Sequence, residues 1–297
     1  MTSRVGPFTL VALVFLSCNG SEFTPLEVPE GCNPLAFDYD CLLPYPSDFF
    51  LMEDDLMPSG RRLVHGPAAP SYPDGKPADP TAPFTLDGFS RVGPILALFP
   101  GGIDSSMLPS PRQTWDASIE PDNPTVIVEA DTGRRVHHLA ELDPLAESDE
   151  RRVLFIRPLE RLADGKRYVV AIQGLADRQG RPVNAPRGFQ RIRDGTYRGD
   201  PVLEAVGQRF ENEVFPVLEA AGLGRDDIIL AWDFTVSSRE NSTADMLSVR
   251  EQAMAFLESH QPSIEIDYVQ QDYDEVIWER IDGRFESPMF LDSAEPG

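Results

Sequence analysis

Positive charge is scarce in this chain. It carries 26 Lys plus Arg against 49 Asp plus Glu, a formal net charge of −23 over 297 residues. No basic face of useful size can be assembled for a phosphate backbone, so nucleic acid is excluded as a partner. Long apolar runs are missing too. No stretch approaches the roughly 20 residues that span a bilayer.

Catalytic motifs are equally thin. A serine hydrolase needs Gly-x-Ser-x-Gly, whose glycines permit the strained turn at the nucleophile. Ser90, in Gly88-Phe-Ser-Arg-Val92, has the first glycine and lacks the second. The four histidines are His65, His137, His138 and His260. His137 and His138 face opposite ways if extended, and His260 closes a helix, where a cation suits the dipole. All four read as structural or surface side chains, so no catalytic residue is assigned. There is no GxxxxGK phosphate loop and no CxxC pair for zinc. Acids cluster at Asp38/Asp40, Asp54/Asp55 and Asp272/Asp274/Glu275, but none follows an EF-hand pattern. They read as solvated surface, and neither a cofactor nor a metal is expected.

What is present begins with an address. Residues 1–17 have a charged start (Arg4), an apolar run from Val11 to Leu16, and a small residue before Cys18. That is a secretory signal. Cys18 after Leu16-Ser17 resembles the lipoprotein box of bacteria, where the cysteine becomes the first mature residue and carries lipid. The alternative is an ordinary signal with an incidental cysteine. Lipidation makes the membrane a partner through the N-terminal lipid. Asn19 in the next position favours the outer membrane or cell surface. With Cys18 acylated, Cys32 and Cys41 remain as an even pair nine residues apart, placed for a disulfide in an oxidising compartment. Such a small ring contributes on the order of 2–3 kcal/mol. Two free thiols are the other reading.

Residues 18–86 form a lipidated, Pro-rich arm. Twelve of the 28 prolines fall between Pro25 and Pro83, which excludes regular helix and central strand there. Phe49, Phe50 and Leu51 are apolar beyond the needs of a free linker and are expected to dock on a core. Over 87–240, short strands alternate with turns: Val92–Phe99, Thr125–Ala130, Arg152–Ile156, Tyr168–Gln173 and Ile228–Val236. The expected fold is mainly β, an Ig-like β-sandwich with a helical insertion. The insertion lies near 200–223. Asp200-Pro201 opens it, Val202, Val206, Phe210, Val214 and Leu218 stripe it, and Pro216 kinks it. Residues 241–297 read as a helix from Ser242, burying Met246, Val249, Ala253 and Phe256. Strands follow at Ile264–Val269, Glu275–Ile281 and Gly283–Leu291. Three short strands are not stable alone. They join the preceding sheet or begin a further domain.

The stretches Leu86–Phe99, Arg152–Val183 and Leu230–Ser238 resemble the N-terminal module of bacterial virulence-factor lipases, which are surface or secreted lipoproteins. The middle portion is also similar to the Ig-like domains of bacterial S-layer proteins. There a D-x-x-G turn, here Asp177-Arg-Gln-Gly180, precedes a W-x-F-T strand, here Trp232-Asp-Phe-Thr235. The lipase resemblance implies an α/β-hydrolase placed after this module, with Gly283–Leu291 similar to the strands leading into it. Two functions follow. One is a non-catalytic, exported, lipid-anchored accessory module, truncated before the hydrolase or standing alone, that contacts lipid or a cell-surface ligand. The other is a lipase or esterase whose catalytic part lies downstream of residue 297. A surface adhesin or envelope structural protein is the remaining alternative.

Overall fold

Proline shapes the start of the molecule. The computed structural model describes residues 24–290, apart from 38, 39, 73, 77, 80 and 82–84. The signal at 1–17 and the lipidation site Cys18 lie outside the described residues. From Thr24 the chain runs largely without regular structure, as its prolines dictate. A disulfide joins Cys32 and Cys41, with Cα atoms 4.3 Å apart. Ser47 caps a single 3-10 turn, Asp48–Phe50, by accepting from the Phe49 amide. A short hairpin follows, β1 (Leu51–Glu53) with β2 (Arg61–Leu63). Phe50 is buried, Leu51 half-buried, and Phe49 stays at the surface.

The body is antiparallel β-structure. Strands β3 (Ile95–Leu98), β4 (Thr125–Glu129), β5 (His138–Leu142), β6 (Val153–Pro158) and β7 (Arg167–Gln173) come first. Helices α1 (Arg187–Arg193), α2 (Glu204–Arg209) and α3 (Phe215–Ala220) lead to β8 (Ile228–Thr235). Two three-stranded sheets result, in the orders β3-β6-β5 and β4-β7-β8. Their registers are fixed by pairs such as Ile95 with Ile156 and Val170 with Trp232. One hydrophobic cluster draws on both sheets, on α1 to α3, and on Leu35, Phe50, Leu63 and Ala68 of the arm. The arm is thus part of the core.

The two sheets differ in cover. On β5 and β6 buried residues alternate with exposed or half-buried ones, the pattern of a sheet with one wet face. Tyr168 to Ile172 of β7 and Ile228 to Phe234 of β8 are buried without interruption. Helix α1 packs on β8 and α3 on β7, and burial without alternation marks a sheet enclosed on both faces. The insertion is a broken helix, as its proline predicts. A π-helical turn, Phe210–Val214, separates α2 from α3 directly before Pro216. Proline supplies no amide and its ring crowds the carbonyl four residues back, and the wider turn absorbs both. Gly188 on α1 meets the disulfide loop so closely that a Cβ would lie 1.9 Å from the Pro34 carbonyl oxygen.

The C-terminal third departs from expectation. Helix α4 (Arg239–Ser259) starts at Ser238, not at Ser242. The Ser238 Oγ accepts from the Asn241 amide. Four polar bonds lock this first turn to residues 85–87. Asp87 Oδ1 accepts from Ser237 Oγ (2.7 Å) and the Ser238 amide (3.0 Å). Asn241 Oδ1 accepts from the Asp87 amide, and its Nδ2 donates to the Thr85 carbonyl. Beyond that turn, no residue of α4 is buried. The expected buried face is a correction: Met246 is exposed, and Val249, Ala253 and Phe256 are only half-buried. Strands β9 (Ile264–Gln271) and β10 (Glu279–Phe285) form a separate two-stranded hairpin that joins neither larger sheet. The expected strand at Gly283–Leu291 is not separate: Gly283 to Phe285 close β10, residues 286–290 are not strand, and Leu291 lies outside the described residues.

Candidate functional site

A charge buried in an apolar run must find a partner, because desolvation costs several kcal/mol otherwise. Strand β8 places Asp233 between Trp232 and Phe234. The turn Asp48–Phe50 places Asp48 beside two phenylalanines. Both carboxylates are withdrawn from solvent, with side chains 1% (Asp48) and 2% (Asp233) exposed. The fold brings them together. β8 is the outer strand of its sheet, and the arm closes its free edge.

The clasp is specific. Asp48 Oδ1 accepts from the Thr235 amide at 2.7 Å, and Oδ2 accepts from Thr235 Oγ1 at 2.7 Å. Trp232 Nε1 donates to the Pro46 carbonyl at 2.8 Å. The Phe89 amide donates to the Thr235 carbonyl, and the Ser237 amide to the Phe89 carbonyl. Cations complete the cluster. Arg61 Nη1 lies 3.3 Å from Asp48 Oδ2. Arg209 of α2 pairs with Asp233, and the same Nη2 lies 3.8 Å from Asp48 Oδ2. Arg167 Nη1 reaches Asp233 Oδ2 at 3.1 Å and also donates to the Glu213 carbonyl. A cavity of about 270 Å³ adjoins the cluster, lined by Phe49, Arg61, Val206, Arg209 and Trp232 beside the two acids.

Electrostatics follow from this geometry. Burial raises the Asp48 pKa to about 6, and the neighbouring Asp233 charge pushes the same way. The bond from Thr235 and the charges of Arg209 and Arg61 oppose the rise. Burial works against the Arg209 cation, but Asp233, Asp48 and Glu213 outweigh it and hold its pKa above the usual value. The cluster can therefore take up a proton near pH 6, and it binds the arm to the sheet.

The sequence singles out neither acid. The signal it offers is a lone acid within an apolar stretch, as in Leu230-Ala-Trp-Asp-Phe and Pro46-Ser-Asp-Phe-Phe50.

The histidines take other partners. His138 is fully buried. Its Nε2 lies 2.9 Å from Thr125 Oγ1 and its Nδ1 2.8 Å from the Val136 carbonyl oxygen. Burial pulls its pKa down to about 4. Its neighbour His137 turns outward to Asp116, so the opposed pair behaves as strand geometry predicts. His65 is buried against the rings of Tyr45 and Phe50, with Nδ1 3.4 Å from Asp79 Oδ1. Burial lowers its pKa, against the pull of Asp79. His260 stacks on Phe256 at the end of α4. Ser90 is exposed and accepts from the Val92 amide. The acid clusters shape turns. Asp40 and Asp54 each accept an amide two residues on, and Asp274 accepts from Val276 and Ile277. Asp38 lies outside the described residues. Among the described residues no group of three or more His, Cys, Asp or Glu is gathered to hold a metal ion.

No family model matches the chain, and no curated protein does. Among solved structures, domains 1–6 of the surface layer protein SbsC overlap 32% of the chain at 19% identity, with a TM-score of 0.22. The crystal structure of the S-layer protein rSbsC(31–844) overlaps 31%, also at 19% identity and TM-score 0.22. The N-terminal part of bacterial SbsC overlaps 30% at 21% identity and TM-score 0.21. The chain spans 11%, 11% and 18% of those three structures. Overlaps of this quality establish neither a shared fold nor a shared role.

Proposed function

We propose that the chain is an exported, lipid-anchored accessory module of a larger surface protein. Its body, residues 24–238, serves as a spacer and contact module built on an Ig-like sandwich of the two three-stranded sheets. Helix α4 and the β9–β10 hairpin are the first elements of a catalytic domain of the α/β-hydrolase type that follows it. The observation that carries this reading is the exposed apolar surface of those last elements. Ile264, Ile266, Val269, Ile281 and Phe285 share one side of the hairpin by register and are all exposed, Ile264 by 77%. Met246, Leu247, Met254 and Leu257 of α4 are exposed as well. A contiguous exposed apolar face of this kind marks a surface that another element covers. The body, in contrast, gathers its apolar strand residues into one buried cluster. The Cys32–Cys41 disulfide supports an oxidising compartment.

The test is the intact mass of the native protein from its own cells. A mass exceeding the acylated 18–297 segment by a hydrolase-sized domain, with labelling by a serine-directed probe, is expected. A native mass equal to the acylated 18–297 segment overturns the reading and leaves a stand-alone surface protein.

A further inference from the structure

We propose that the Asp48–Arg209–Asp233 cluster is a proton-operated latch, which holds the N-terminal arm on β8 more firmly in acid than in mild alkali. The geometry supplies every part. The arm contributes Asp48, Glu53 and Arg61. Helix α2 contributes Arg209, the π-helical turn Glu213, β7 Arg167, and β8 Asp233 and Thr235. Glu53 and Glu213 are open to solvent, so the withdrawn part of the cluster is Asp48 and Asp233, and the Arg209 guanidinium is shared between them. Two carboxylates withdrawn from solvent thus repel each other across the seam between arm and strand.

A proton resolves this without loss of the clasp. On Asp48 Oδ2 it turns the carboxyl into a donor toward Thr235 Oγ1, whose hydroxyl can reverse and accept. Oδ1 continues to accept from the Thr235 amide. The repulsion between Asp48 and Asp233 disappears, and Arg209 is left to Asp233. Loss of that proton restores the repulsion across the seam between arm and strand. The adjoining cavity gives the arm room to shift at that seam. The device works on the seam between the arm and β8, ahead of α4, so it stands whether or not a catalytic domain follows.

The test is amide hydrogen exchange on the full chain at pH 5 and pH 8, expressed as protection factors so that the intrinsic pH dependence cancels. The Thr235 amide reports the clasp, and the Ala171 amide in the central strand β7 serves as the reference. Protection of Thr235 relative to Ala171 is expected to be at least about tenfold higher at pH 5, since one unit of pKa shift corresponds to a factor of ten. Asp48→Asn is expected to remove the difference. Asp233→Asn, which removes the repelling neighbour, is expected to shrink it and serves if the first variant does not fold. Equal relative protection at both pH values in the unmodified chain overturns the proposal. So does a full pH difference retained in either variant.

Discussion

Strands β8 and β9 are both eight residues long, both antiparallel, and both begin with isoleucine, yet one is almost wholly buried and the other almost wholly exposed. β8 reads Ile-Ile-Leu-Ala-Trp-Asp-Phe-Thr, apolar on both faces. It has β7 on one edge, the arm along the other, and α1 against it. β9 reads Ile-Glu-Ile-Asp-Tyr-Val-Gln-Gln, apolar on one side at Ile264, Ile266 and, past a bulge, Val269, and has β10 as its strand partner. Its charged side is satisfied by its own hairpin, where Arg284 lies 2.9 Å from Asp267. Its apolar side faces solvent. Sequence pattern sets how many faces a strand can bury, and neighbouring elements decide whether they are buried.

Four experiments break or sharpen this contrast. Trp232→Ala removes the largest buried side chain of β8 together with its bond to Pro46, and should cost about 3–5 kcal/mol in urea unfolding. Gly188→Ala strikes the cover of β8, since its methyl has no room against Pro34; a loss of roughly 2 kcal/mol is expected by the same measurement. A shift in pH acts next. The folded-state pKa of Asp48, about 6, is raised above its ordinary 3.8. The native state therefore binds the proton more tightly, and this group's contribution to stability grows as pH falls from above 6 toward 4. It is absent well above pH 6. Burial of His138 and His65 works the other way over the same range, so the reading is comparative: on going from pH 8 to pH 5 the melting temperature of the unmodified chain should change more favourably than that of Asp48→Asn. Ile266→Ala on β9 should be nearly silent, within about 0.5 kcal/mol. A cost like that of a core residue would show that the hairpin is covered in solution and would erase the contrast.

Much of the body was legible. Thr125–Ala130, Tyr168–Gln173 and Ile228–Val236 are β-branched or apolar runs bounded by turns, and each is a strand within a residue or two. Pro216 marked the break in the insertion. β5 was hidden because His-Leu-Ala-Glu-Leu carries a histidine that reads as polar, yet His138 is buried and bonded on both ring nitrogens. Helix α1 was hidden because Arg187, Arg191 and Arg193 mask Phe189 and Ile192, its inward residues. The start of α4 was displaced because Ser238 and Ser242 both offer a cap, and only the bonds to Asp87 choose between them. The Asp48–Asp233 cluster depends on a pairing across 185 positions. Among 49 acids the sequence does not say which two will meet.

The polar lock at the root of α4 has a mechanical consequence. Twenty-one residues of helix extend about 32 Å at 1.5 Å per residue, and α4 is clamped at one end by Asp87 and Asn241. Such a rod is a lever. A tilt of about 10° at its root would carry the far end through roughly 5–6 Å, about one helical turn. The small hinge of serine, asparagine and aspartate therefore sets the reach and aim of everything attached beyond Ser259.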